Sequence, residues 1–183
     1  MNNIKSIILL GILLVANTID AQKYFTKTGF TEFKASVDAF EPVEAKNNST
    51  TVILDIENGE IASLLFIKAF NFKVGLMQEH FNENYMESSK YPKAKFKGKL
   101  VDFDFKSIEE TKTFKLQGEL IIKGKSKNID TKATLAKNGG KLLLESSFSV
   151  KPSDFDIEIP SVVRKKIAET VNINLSYELV EKS

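Results

Sequence analysis

The chain has 183 residues, about one domain's worth, and its 42% hydrophobic and 27% charged residues with 9 Gly and 4 Pro exclude disorder, collagen and coiled coil. Its 26 Lys+Arg against 24 Asp+Glu give a formal charge of +2, which is not the dense polycation that counterion-driven nucleic-acid binding favours. Zero Cys, zero Trp and one His exclude disulfides, thiolate chemistry, Cys-based zinc sites and a His cluster, and disfavour catalysis; the 14 Phe are the compositional excess.

Met1 to Ala21 opens with one cation, Lys5, continues through an unbroken apolar run from Ile7 to Ala16 and leaves through polar residues to Ala21. This order reads as a secretory signal peptide cut near Ala21. The run falls short of the roughly 20 residues that span a bilayer, and no Cys follows it to carry a lipid, so no stable membrane anchor is expected. The mature chain, residues 22–183, is then a single domain in the periplasm or outside the cell. It is stabilised without disulfides by its core alone.

Most of the mature chain alternates with period two, the mark of strands with one buried and one wet face. A first strand is expected around Phe30 to Val37, followed by Val52, Leu54 and Ile56 and then a continuous apolar run from Ile61 to Phe66. Gly75 to Met86 breaks the pattern: Met77, Phe81 and Tyr85 recur every four residues and share one face of an amphipathic helix over 76–86, a lid or plug. Tyr91-Pro92 restores extended chain. Ala94, Phe96, Gly98 and Leu100 alternate with lysines, and the apolar positions then move to Val101, Phe103 and Phe105, a phase change that turns the apolar set to the other face unless a bulge intervenes.

Further sets run from Phe114, Leu116 and Leu120 to Ile122, from Ile129 to Leu135, from Leu142 and Leu144 through Phe148 to Val150, and from Val171 to Leu179. Glu57-Asn58-Gly59, Lys123-Gly124-Lys125 and Asn138-Gly139-Gly140 are hairpin connectors, Asn138-Gly139 the strongest. A second short helix is expected over 161–170, where Val163 and Ile167 stand four apart after Pro160. About eight antiparallel strands with one or two short helices make an all-β barrel.

Chemistry is scarce. His80 is the single His, and on a helix only Glu83 approaches its ring, too little for a metal site. There is no G-x-S-x-G elbow and no P-loop. The basic run Lys90, Lys93, Lys95, Lys97 and Lys99 has the pattern of a solvated strand face; as an anion site, a lipid headgroup suits export better than RNA. The Phe residues are most simply core, yet an eight-stranded closed sheet either fills or leaves room for one small ligand.

Three segments carry a family likeness. Leu76-Met77-Gln78-Glu79-His80-Phe81 leading through Tyr85 to Tyr91-Pro92 and Phe96, then Gly118-Glu119-Leu120-Ile121-Ile122-Lys123-Gly124, then Ser153-Asp154-Phe155, resemble in order and spacing the motifs of YceI-like proteins. The chain departs from that pattern where Met77-Gln78 replace Arg-Asp, Pro152 replaces Arg, Asp156 replaces Gly, and Thr28-Gly29-Phe30 replaces an early His-Ser. The resemblance implies a lipocalin-like barrel holding a polyisoprenoid or fatty-acid-like lipid in an apolar channel, with no other cofactor and no nucleic acid. An altered or absent headgroup contact follows from the departures.

The expected channel and rim comprise Leu54, Leu65, Phe70, Phe72, Met77, His80, Phe81, Tyr85, Tyr91, Phe96, Phe114, Leu116, Leu120, Leu144, Phe148 and Phe155. Two other readings stand beside this one: a filled barrel acting as a protein-interaction or stress module, and a lipid-modifying enzyme using His80 with Glu83 or Asp154. A homodimer stays open.

Overall fold

The computed structural model describes residues 22–37 and 39–182; the expected signal peptide lies outside the described residues. Nine strands form one antiparallel sheet: β1 Lys23–Ser36, β2 Glu44–Asp55, β3 Glu60–Phe66, β4 Asn71–Phe72, β5 Lys93–Leu100, β6 Thr111–Ile122, β7 Lys125–Asn138, β8 Lys141–Val150 and β9 Ile167–Glu181. The order β1-β9-β8-β7-β6-β5-β3-β2 closes through β1–β2 pairing into an eight-stranded barrel, with β4 a two-residue addition on β2. Closure removes the free edges that an open sheet would expose.

The alternating sets point inward as expected: Val52, Leu54, Leu100, Phe114, Leu116, Leu135, Leu144 and Leu179 are buried, while Lys93, Lys95, Lys97 and Lys99 face solvent. β1 starts seven residues earlier than its alternation suggested. Register shifts between Thr26 and Gly29, and between Gly29 and Thr31, break the period there.

At the hairpins, Lys123 and Gly124 both take positive φ, as the tight two-residue turn requires. The β7–β8 turn is centred one residue later than expected, on Gly139-Gly140, because Asn138 pairs with Lys141.

Two expectations are corrected. The phase change after Leu100 is not a bulge, because β5 ends there; the chain turns at Asp102 (φ 50°), and Phe103 and Phe105 fold back over the end of the barrel, 5.2 Å from Phe114 and 5.9 Å from Tyr24 between ring centroids. The helix over 161–170 is also absent. Val163 and Arg164 donate to the Pro160 carbonyl in a short turn, and Ile167 then pairs with Ser36 as the start of β9, so sheet pairing overrides the helical spacing.

The helix at 76–86 is present: α1 Gly75–His80 runs directly into a π-helical turn, Phe81–Tyr85, closed by Met86 N–H donating to the Phe81 carbonyl (2.9 Å). Gln78 pins it to the barrel, its Oε1 accepting from the Phe72 N–H at 3.2 Å. The residue that departs from the family pattern thus fixes the helix on β4.

Inside the barrel, Gly98 and Gly118 face each other, and a Cβ on either would come within 2.6 Å of the Phe96 ring. The missing side chains make the space that Phe96 occupies.

Candidate functional site

The interior divides into two zones. Around Leu54, Leu116, Leu135, Leu142, Leu144 and Leu179, all between 0 and 3% exposed, side chains fill the barrel, and the Phe103–Ile108 segment covers its end. This zone also holds its polar groups closely: Thr31 Oγ1 lies 2.8 Å from Thr50 Oγ1 and 3.2 Å from the Tyr177 hydroxyl. Burial pushes the Tyr177 phenol up to about 12.

Toward the α1 end the filling stops. A cavity of about 470 Å³ opens there, lined by Phe33, Ala35, Phe40, Val43 and Phe72 from the β1–β2 side and β4, by Leu76, Met77, His80, Phe81 and Tyr85 from the helix, and by Pro152, Ile157, Ile159, Val163, Ile167 and Val171 from the β8–β9 side. Glu41 and Lys166 supply its charged lining. That volume lies within the roughly 300–1,000 Å³ of small-molecule sites, which share a mostly apolar lining with a few polar groups.

The wall is a ring cluster. Phe81 lies 5.3 Å from Phe33, 5.0 Å from Phe72 and 5.7 Å from Phe70, in stacked, tilted and edge-on arrangements. Such rings present stiff apolar surface without hydrogen-bonding groups of their own.

The structure brings five expected site residues into this cavity: Phe72, Met77, His80, Phe81 and Tyr85. Leu65 and Phe70 belong to the packed layer behind the rings. Leu120, Phe148 and Phe155 form a separate cluster with Ile129 and Val150, and Phe96 bridges it to the filled zone. Leu54, Phe114, Leu116 and Leu144 lie in the filled zone and are not part of the cavity lining. Tyr91 sits against Gly124 at the β6–β7 turn, under Lys90.

The strap from Pro152 to Val163 was not anticipated. Its signal was the alternation of Ile157 and Ile159 with Glu158 between two prolines, an extended apolar segment outside any hairpin. The strap is fixed at Asp156, which adopts the left-handed conformation (φ 52°, ψ 38°) that favours glycine and that Asp tolerates, and whose carboxylate pairs with Lys125 at 2.7 Å. This accounts for Asp where the family pattern has Gly.

A second, more polar groove of about 1030 Å³ is lined by the same strap and shares Pro152, Ile157, Ile159 and Ile167 with the apolar cavity.

The acid–base candidates are dispersed. His80 and Glu83 are exposed, and Asp154 pairs with Lys127 at 3.1 Å. Lys123 ties the end of the helical segment to the β6–β7 turn through Glu87 (2.6 Å), holding the Glu87 carboxyl below the usual carboxylate range by hydrogen bonding and charge. Among the described residues, no three His, Asp or Glu side chains converge to hold a metal ion, and no helix is long and apolar enough to cross a membrane.

A closed antiparallel barrel, packed at one end and hollow at the other beneath a short helix, defines a lipocalin-like container. The YceI-like domain model matches residues 15–179, and the chain belongs to that family. Among solved structures, it is similar to a polyisoprenoid-binding domain from Saccharophagus degradans implicated in plant cell wall breakdown, at 14% identity and TM-score 0.74 over 87% of this chain and 98% of that one. It is also similar to BcnA of Burkholderia cenocepacia, at 18% identity and TM-score 0.67 over 82% and 96% of the two chains. The Campylobacter jejuni YCEI protein, at 21% identity and TM-score 0.54, covers 74% of this chain and 81% of its own. No curated protein matches the sequence.

Proposed function

We propose that the protein is an exported, non-enzymatic binding protein that holds the apolar tail of a polyisoprenoid or other long-chain amphiphilic lipid, for transport, storage or a stress response. The observation that carries this reading is the mostly apolar, ring-bearing cavity of about 470 Å³ at the α1 end. An alkyl or isoprenoid tail needs only such a surface, since each buried CH₂ contributes roughly 0.8 kcal/mol and no tail atom asks for a hydrogen bond. The fold it shares with a polyisoprenoid-binding domain supports the ligand class, and the apolar run of Ile7 to Ala16 supports export to the periplasm or beyond.

The tail enters from the α1 end and stops at the filled zone. His80, Glu41 and Lys166 are the polar groups left for a headgroup at the mouth. Phe33, Phe72, Phe81 and Tyr85 are the side chains that touch the tail.

Native mass spectrometry of protein purified from cells tests the proposal. A lipid adduct that organic solvent removes, and that added isoprenoid quinone or fatty acid restores, is the expected result. Protein that emerges empty and takes up neither overturns it.

A further inference from the structure

The mouth of the cavity carries strongly exposed apolar side chains. Val162 is 84% exposed, Leu76 60% and Phe40 41%, and they come from three separate segments: the 160–166 turn, α1 and the β1–β2 connection. Phe40 and Leu76 both reach the cavity rim. In the 160–166 turn, neighbouring residues divide the task, Val163 lining the cavity while Val162 projects outward. Hydrogen bonds from Val163 and Arg164 to the Pro160 carbonyl (both 3.0 Å), and from Lys166 to the Val163 carbonyl (2.8 Å), hold Val162 in that position.

Charge decides what this rim fits. Residues 160–167 contain Arg164, Lys165 and Lys166 and no acid, and none of the three cations forms an ion pair among the described residues. The carboxylates around this rim, Glu41, Glu79, Glu83, Glu158 and Glu169, are spread over four segments, and Glu158 and Glu169 share the more polar groove with Arg164. An exposed apolar tip with adjoining Lys and Arg matches a bilayer interface: the apolar groups enter the boundary between headgroups and acyl chains, and the cations meet lipid phosphates.

We propose that the rim of the cavity docks on an anionic lipid bilayer, with Val162, Leu76 and Phe40 inserted and Arg164, Lys165 and Lys166 on the headgroups. This rests on the reading that the cavity holds a lipid tail, and it states where the tail is collected. Docking turns the open end of the cavity toward the membrane, so a tail passes between bilayer and barrel without crossing water.

Flotation with phosphatidylcholine vesicles, with and without phosphatidylglycerol, is the test. Binding should require the anionic lipid and weaken as salt screens the cations. Val162→Asp should weaken it about tenfold or more by removing one inserted aliphatic group. Lys165→Glu should weaken it roughly twenty-five-fold, about fivefold for each of two units of charge. Neither residue lines the cavity, so both variants should take up a fluorescent fatty acid from vesicle-free solution as the unaltered protein does.

Absent binding to anionic vesicles, or both variants binding undiminished, overturns docking. So does binding lost instead through Ile53→Asp, which alters the outward row Val180, Phe25 and Ile53 across β9, β1 and β2, or a sedimentation result in which Val162→Asp only dissolves a dimer. Failure of fatty-acid uptake with vesicle binding intact removes the storage reading and leaves docking standing.

Discussion

The two ends of one barrel differ in what their side chains are. The closed end is mostly Leu, Ile and Val, packed with Tyr24, Phe114 and Tyr177 and largely buried, and Phe103 and Phe105 are laid over them from the β5–β6 connection. The open end sets a cluster of half-buried rings, Phe33, Phe72, Phe81 and Tyr85, across a gap from an aliphatic strap that brings Ile157, Ile159 and Val163. Branched aliphatic side chains fill space to crystal-like density, whereas a few large stiff rings on strand ends and a short helical segment leave space between them. One end thus supplies stability and the other supplies room, and the Phe-rich composition serves both. Only Phe33, Phe40, Phe72 and Phe81 of the 14 Phe line the cavity.

The largest effect that separates the two ends is a cavity made where there is none. Leu144→Ala, at 0% exposure, should cost about 3 kcal/mol, seen as a lower urea midpoint with unchanged slope. Phe81→Ala should cost less, because the ring already borders empty space, and should change lipid uptake instead. If the two losses are equal, the open end is packed as tightly as the closed one, and the contrast fails.

A second test asks whether the closed end excludes water from its polar groups as well. The Tyr177 phenol is raised to about 12 in the folded protein, so the unfolded chain, near 10, releases this proton first as pH rises. Stability from this group is complete below pH 10 and declines as pH rises through the folded value. The decline amounts to roughly 2 kcal/mol by pH 12. Tyr177→Phe should flatten that segment of the stability–pH curve. It should also cost about 1 kcal/mol at neutral pH, through the lost contact with Thr31. A curve between pH 10 and 12 that is the same for both proteins would place the hydroxyl in contact with solvent.

The same contrast explains which parts were legible in the sequence. The barrel was, because period-two sets such as Phe114-Leu116-Leu120 and Leu142-Leu144 record a buried face directly, and Gly124 and Gly140 record the turns. The helical segment was legible from the four-residue spacing of Met77, Phe81 and Tyr85, which share the face that lines the cavity. The cavity wall was only half legible, since Ala35, Val43, Ile157 and Ile159 become lining through where their segments are folded, and no local period reports that. Spacing misled at Val163 and Ile167 because a four-residue interval is shared by one turn of helix and by a turn followed by a strand, and the pairing of Ile167 with Ser36 decides between them. The sequence could not divide filled from hollow either: Leu144 and Phe72 both read as inward residues.

The smallest effect concerns how the open end keeps its strap in place. Asp156 takes a left-handed backbone at a cost of about 1–2 kcal/mol for an ordinary side chain, a cost that Asp partly escapes and Gly escapes altogether. Its ion pair with Lys125 is exposed on both sides, 56% and 66%, and such pairs contribute little. Asp156→Gly should therefore change the unfolding free energy, read from urea denaturation, by less than about 1 kcal/mol in either direction, the eased backbone offsetting the lost pair. Asp156→Val, which loses the pair and meets the full steric cost, should be less stable than Asp156→Gly by about 1–2 kcal/mol. If the Val and Gly variants are equally stable, the strap is not fixed by this residue's backbone. The gap between strap and helix would then owe its shape to the apolar contacts of Ile157 and Phe155 alone, which would make the open end a packed structure after all.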